Sequence, residues 1–323
     1  MDLTALTVDL PPQPWTGRFD GDGDEHRRWW QAVRPYRQVP DAAPSSQVLA
    51  PDRPAVILGF CSDEGVRRNA GRVGAAAAPA AIRRSLGSLA FHLKRQVFDA
   101  GDVAVSGTRL EAGQARAGVA LTTMLDAGNL TVALGGGHET AFASYLGLAH
   151  SAAVLDGKRL GVLNLDAHFD LRDEPEPSSG TPFLQMAKAE AAAERELRYA
   201  AVGISEANNT RALFNTARGL GVAFLLDEDC STERTADFVA DFLASVDLLY
   251  LTIDLDVLPA SVAPGVSAPA ALGVPMPVIS GICRQIAASG KLFHLDVAEL
   301  NPAFDVDGRT ARVAARLINT LLA

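Results

Sequence analysis

The chain has 323 residues, 48% of them hydrophobic and 21% charged, an ordinary globular composition with length enough for a large core. A formal net charge of −9 argues against nucleic-acid binding through a basic surface, while leaving room for an anionic small substrate at a local site. No run reaches ~18 apolar residues and residues 1–50 hold no signal-peptide core, so no membrane span is expected. The three dispersed cysteines, Cys61, Cys230 and Cys283, fit free thiols in a reducing cytoplasm.

Residues 1–46 are rich in proline, aspartate and glycine and carry Trp15, Trp29 and Trp30; they read as an N-terminal arm anchored by its tryptophans. The stretch 24–33 within it suits a short helix, and 42–47 read as a linker. Residues 47–323 read as one domain of alternating elements. Strands are expected over 55–60, 97–99, 131–134, 161–165, 199–204, 222–226, 248–253 and 292–295. Helices are expected over 77–89, 110–127, 139–150, 181–197, 208–219, 232–245, 277–289 and 307–322. Short, wholly apolar strands alternating with helices predict a mostly parallel sheet of about eight strands, covered on both faces in a single-domain, three-layer α/β/α fold. Ligands in such sheets bind beyond the carboxyl ends of the strands.

Three of these strands end in metal-type ligands. The run 161–165 is followed by Asp166, His168 and Asp170, two apart, so an extended chain puts all three on one face. The run 131–134 leads into Gly135-Gly136-Gly137-His138-Glu139, and 248–253 into Asp254-Leu255-Asp256. Carboxylates and imidazoles converging at strand ends are costly to bury unpaired, and divalent cations resolve that cost. Six nitrogen and oxygen ligands exceed one tetrahedral zinc site and suit two hard or borderline ions.

The order G-G-G-H-E, D-A-H-F-D, D-L-D resembles the ureohydrolase family of arginase and agmatinase relatives, whose pattern is G-G-(D/G)-H, D-A-H-x-D and D-x-D. The likeness runs from about Pro54 to the C-terminus. It implies an arginase-like fold and two Mn²⁺ per subunit. One ion would be held by His138, Asp166, Asp170 and Asp254, the other by Asp166, His168, Asp254 and Asp256. Such a pair activates water for attack on an amidine or guanidine carbon. Asp256 would relay a proton, and Glu299, in the E-x-N-P stretch, would pair with the cationic end of the substrate. Homo-oligomers, trimers or hexamers, are also implied.

Departures from the arginase pattern bear on the substrate. Ser179 stands where arginase-like members carry a shuttle histidine before glycine, and Arg172 replaces a neutral polar residue two positions after Asp170. A guanidinium clamps a carboxylate and repels a cationic tail. Arg72, in a glycine-rich stretch, is a second anion contact, with Asn209 and Thr210 as further lining. With 178–183, 256–259 and 264–269, these features are similar to the branch that hydrolyses N-formimidoyl-L-glutamate to L-glutamate and formamide in histidine degradation. The expected partner is thus a small amidine bearing carboxylates. A guanidino substrate, a single-metal deacetylase-type hydrolase and a metal-binding relative without turnover stay open. Asp296 is expected behind the ligands; His150 and His294 read as packed or partly exposed histidines, and His26 and His92 carry no signal.

Overall fold

The structure, a computed structural model, describes residues 8–37 and 49–323. The linker expected over 42–47 lies outside the described residues. The strands are β1 (Arg34–Pro35), β2 (Ala55–Cys61), β3 (Val97–Ala104), β4 (Leu130–Leu134) and β5 (Leu160–Leu165). They continue with β6 (Arg198–Ile204), β7 (Ala223–Leu226), β8 (Leu248–Asp254) and β9 (Leu292–Ala298). The helices are α1 (Trp29–Ala32), α2 (Glu64–Arg68), α3 (Ala78–Gly87), α4 (Leu110–Asp126), α5 (Thr140–Ala149) and α6 (Ala152–Leu155). They end with α7 (Pro182–Ala192), α8 (Arg211–Gly219), α9 (Thr232–Ser245), α10 (Met276–Ser289) and α11 (Arg309–Leu322).

Among the described residues, nine strands form one sheet in the order β1-β3-β2-β4-β9-β8-β5-β6-β7. Every strand pair in it is parallel. The strand beyond the expected eight is β1, a two-residue edge contributed by the arm, with Arg34 opposite Phe98. It was invisible in sequence because two residues ending in proline carry no alternation. Strand β3 runs five residues past its expected end at Asp99, through Gly101 at φ 90°, where the register with β2 shifts.

The period of two explains the layers, save in β9, where the register with β8 shifts past Leu292 and sets Phe293 and Leu295 on opposite faces. On one face Ile57, Val132, Leu163, Leu251 and Leu295 pack with α3, α9, α10 and α11; on the other Val162, Tyr199, Tyr250 and Phe293 pack with α5, α7 and α8. Val56, Leu58 and Phe60 meet α4 in a third cluster. Both faces of every central strand are covered, which is why these strands read as continuous apolar runs. The arm is tied down by Trp29, which is fully buried, stacks on Trp15 and donates from Nε1 to Asn319 Oδ1 at 2.9 Å. Arg83, held between Asp99 and Asp102, and Trp15 Nε1 on Asp99 Oδ2 complete the anchorage. Among the described residues no helix is long and apolar enough to cross a membrane.

Candidate metal centre

The four central strands, β4, β9, β8 and β5, are neighbours in the sheet, and their carboxyl ends bring the predicted ligands together. His138 follows β4, Asp166 and Asp170 follow β5, and Asp254 closes β8. His138 Nδ1 stands 2.8 Å from Asp170 Oδ2, 3.1 Å from Asp166 Oδ2 and 3.2 Å from Asp254 Oδ2. It makes no aligned hydrogen bond to any of them. The other ring nitrogen, Nε2, lies 2.9 Å from Thr252 Oγ1. A ring whose Nε2 donates to Thr252 aims the Nδ1 lone pair at three carboxylates, an arrangement that a bound cation stabilises. His168 Nδ1 lies 3.1 Å from Asp256 Oδ2 and 3.5 Å from Asp166 Oδ1. The atoms that could hold a metal ion fall into two sets, His138, Asp166, Asp170, Asp254 and Asp166, His168, Asp256, each within 4.8 Å. Asp166 belongs to both. Asp254, expected in both, groups here with the first, and its Oδ1 accepts from the Asp256 amide at 2.8 Å.

Electrostatics point the same way. Burial, then repulsion from Asp166, pushes Asp170 up to about 6. Burial and repulsion from Asp256 and Asp166 push Asp254 well above the carboxylate range. Burial also raises Asp256, against the pull of His168. Four carboxylates gathered this closely hold their charge together only beside cations. Asp170 and Glu299 both adopt positive φ, 47° and 68°, the left-handed region that non-glycine residues seldom occupy.

A cavity of about 340 Å³ opens over this cluster and is lined by His138, His168, Asp170, Asp254, Asp256 and Glu299 together with Asn69, Arg72, Arg172 and Ser179. Glu299 Oε1 accepts from the His138 amide at 2.7 Å, while its buried Oε2 has no partner. Burial and the neighbouring Glu139 carboxylate push Glu299 up to about 8. A cationic group against the bare Oε2 would restore its charge. The Arg172 side chain is 49% exposed, its nearest carboxylate, on Glu174, being 3.8 Å away. Ser179 Oγ accepts from Asn69 Nδ2 at 3.1 Å.

A family model described as the arginase family matches residues 53–323. The chain belongs to the arginase family. It is 55% identical over 316 residues to the formimidoylglutamase of Rhodococcus opacus (strain B4), covering 97% of this chain and 96% of that one. It is 54% identical over 312 residues to the formimidoylglutamase of Nocardia farcinica (strain IFM 10152), again 97% and 96%. Among solved structures, Trypanosoma cruzi formiminoglutamase with Mn²⁺ superposes with a TM-score of 0.74 at 25% identity, over 84% of this chain and 93% of that one. Bacillus subtilis arginase shares the fold, with a TM-score of 0.73 at 20% identity over 84% and 99%.

Around the centre of this arginase-family chain stand supporting groups, of which sequence reasoning passed over Thr252, Asn164 and the contacts of Glu139. Thr252 and Asn164 each precede a ligand aspartate by two, on the same strand face. Asn164 Nδ2 donates to Asp166 Oδ2 at 2.9 Å, as Thr252 meets His138. A lone polar residue in an apolar strand, two before a ligand, was the available signal. Glu139 is fully buried; its Oε1 accepts from Ser62 Oγ at 2.7 Å and from the Gly65 amide at 3.0 Å. The glycines of this turn make room: a Cβ on Gly136 would lie 1.7 Å from Ser62 O, and one on Gly137 2.2 Å from Glu139 Oε2. Asp296 sits behind the ligands, accepting from Ser144 Oγ at 2.6 Å and from Tyr250 Oη. His294 is fully buried, with Nδ1 2.7 Å from Thr131 Oγ1, and His150 is exposed.

Of three further lining residues expected, Arg72 and Asn209 do line the cavity, with second duties, and Thr210 does not. Arg72 faces the cavity, but its Nε donates to Ser267 O at 3.0 Å, its Nη2 to Val266 O, and its guanidinium lies 4.1 Å over the Phe304 ring. It braces two loops as well as presenting charge. Asn209 spends its amide on the ligand loop, accepting from the Phe169 amide at 3.1 Å and donating to Ala167 O at 2.9 Å. Thr210 is exposed and outside the cavity lining, which Asn208 joins instead.

Proposed function

We propose that the protein hydrolyses the amidine C–N bond of N-formimidoyl-L-glutamate, releasing L-glutamate and formamide, with two Mn²⁺ per subunit. The observation that carries this reading is the make-up of one cavity: two ligand sets sharing Asp166, with the guanidiniums of Arg72 and Arg172 in the wall. The ligands are oxygen and imidazole nitrogen with no thiolate, which suits manganese. When bound in these sets, two divalent cations lower the pKa of water toward neutrality and stabilise developing negative charge.

The protein's own groups do the rest. The bare Oε2 of Glu299 receives an N–H of the substrate amidinium, orienting its carbon toward the ligand cluster. Arg172, with Arg72, pairs with the substrate carboxylates, and the Ser179 hydroxyl supports that contact. Asp256 accepts a proton and passes it toward the leaving amine. The absence of histidine at position 179 leaves that relay to Asp256. The same reading assigns residues 1–46 to an arm and 47–323 to the catalytic domain, and places a homo-oligomer in the cytoplasm.

The test is release of glutamate and formamide from N-formimidoyl-L-glutamate by manganese-loaded protein, with arginine, agmatine and 4-guanidinobutyrate in parallel. Turnover of the first alone is expected. Urea from a guanidine substrate would overturn the substrate assignment.

A further inference from the structure

The cavity wall is assembled from two segments far apart in sequence. One, after α2, carries Asn69 and Arg72; the other, between β5 and α7, carries Arg172 and Ser179. The second begins with the acidic, exposed stretch Asp173-Glu174-Pro175-Glu176. Within it, the Arg172 amide donates to Gly180 O at 2.9 Å and the Ser178 amide to Thr181 Oγ1 at 2.9 Å. These bonds hold the loop's shape but do not attach it to the opposite wall.

Arg68 makes that attachment, although it does not line the cavity. Its side chain is 9% exposed and every one of its guanidinium nitrogens is engaged. Nε donates to Glu64 Oε1 at 3.0 Å, within α2. Nη1 donates to Pro177 O at 2.9 Å and to Glu111 Oε1 at 2.6 Å. Nη2 donates to Thr108 O at 2.8 Å. The next residue, Asn69, takes Ser179 Oγ, two residues beyond Pro177. Consecutive residues at the end of α2 therefore grip alternate residues of the facing loop. The base of the grip is itself fixed, since Glu139, next to the ligand His138, accepts the Gly65 amide in the same helix.

We infer that Arg68 is a positioning residue for substrate selection. By joining α2 to the 172–180 loop it sets the separation of the two guanidiniums, Arg72 and Arg172, and so the preference for a substrate bearing two carboxylates. Pro177 suits this contact: the clamp uses its carbonyl, and the ring limits the chain on either side. A planar guanidinium serves acceptors on four residues in different directions at once, which an ammonium on a flexible stem does not. This inference rests on the substrate reading above only for its choice of probe.

The experiment compares wild type with Arg68→Ala and Arg68→Lys, all manganese-loaded. Two substrates are used: N-formimidoyl-L-glutamate, and N-formimidoyl-4-aminobutyrate, which lacks the α-carboxylate. In Arg68→Ala, KM for the first substrate is expected to rise about tenfold with kcat within about twofold, while the second changes little, so the preference between them collapses. Hydrogen–deuterium exchange over 172–181 is expected to speed up, with bound manganese unchanged. Arg68→Lys, which keeps a positive charge beside Glu64, is expected to shift the same way by less, and carries the test if the alanine variant does not fold. Unchanged preference and unchanged exchange would overturn the inference, as would kcat and bound manganese falling together. If wild type turns over neither amidine, the substrate reading fails, and the exchange measurement still decides whether Arg68 orders the loop.

Discussion

At the scale of single residues, the site combines buried charge with unused hydrogen-bonding capacity. Asp166 belongs to both ligand sets, and Asp254 adds the third carboxylate around His138. Asp166→Ala and Asp254→Ala are each expected to lose bound manganese and turnover together, as read by metal analysis beside an activity assay. Glu299→Gln keeps an oxygen for the His138 amide but removes the charge facing the substrate. Its kcat/KM is expected to fall roughly 100-fold with manganese retained. Arg172→Ala is expected to raise KM more than it lowers kcat, because a carboxylate contact remote from the reacting carbon binds ground state and transition state alike.

His294 gives a stability prediction of its own. Burial pushes it down to about 3, with Thr131 Oγ1 as its partner. The unfolded chain protonates this histidine below about pH 6.5, whereas the folded protein keeps it neutral, so stability declines as pH falls from about 6.5 toward 3. By pH 5 this one group removes about 2 kcal/mol. Urea unfolding of wild type and His294→Gln at pH 7, 6 and 5 is expected to show a shallower acid-side decline in the variant.

At the scale of elements, strand cores were readable and edges were not. The apolar runs 131–134, 161–165 and 248–253 correspond to β4, β5 and β8 within a residue at each end, because a strand covered on both faces must be apolar throughout. Strand β9 continues to Ala298, past the expected end at Leu295, because Asp296 is buried and bonded to Ser144 and Tyr250 rather than solvated. Helix α7 stops at Ala192, and the helical composition of 193–197 does not decide: Glu194 takes positive φ, 55°, and Arg195 turns back to pair with Glu190 at 2.6 Å. The four-residue α1 matters through one side chain. Trp29→Ala empties a fully buried indole site and is expected to cost about 3–5 kcal/mol, visible as a lower urea midpoint.

At the scale of the whole molecule, the ends of the four central strands converge on the ligand cluster. Cations held there would tie β4, β5 and β8 together and relieve repulsion among buried carboxylates. Chelation is therefore expected to lower the melting temperature by roughly 5–10 °C, as measured by calorimetry with and without manganese. Local pattern alone determined the fold class and marked the strand ends where the six candidate ligand residues stand. Apolar runs and polar residues two apart are short-range properties, and the physics of burying a strand and its end writes them directly into the chain. The order of strands, the division of ligands between two sets and the second duties of Arg72 and Asn209 were decided by tertiary structure. So was the clamp from Arg68 to Pro177, 109 residues away. Such contacts depend on which segments the sheet brings side by side, and no periodicity along one segment encodes its distant neighbour.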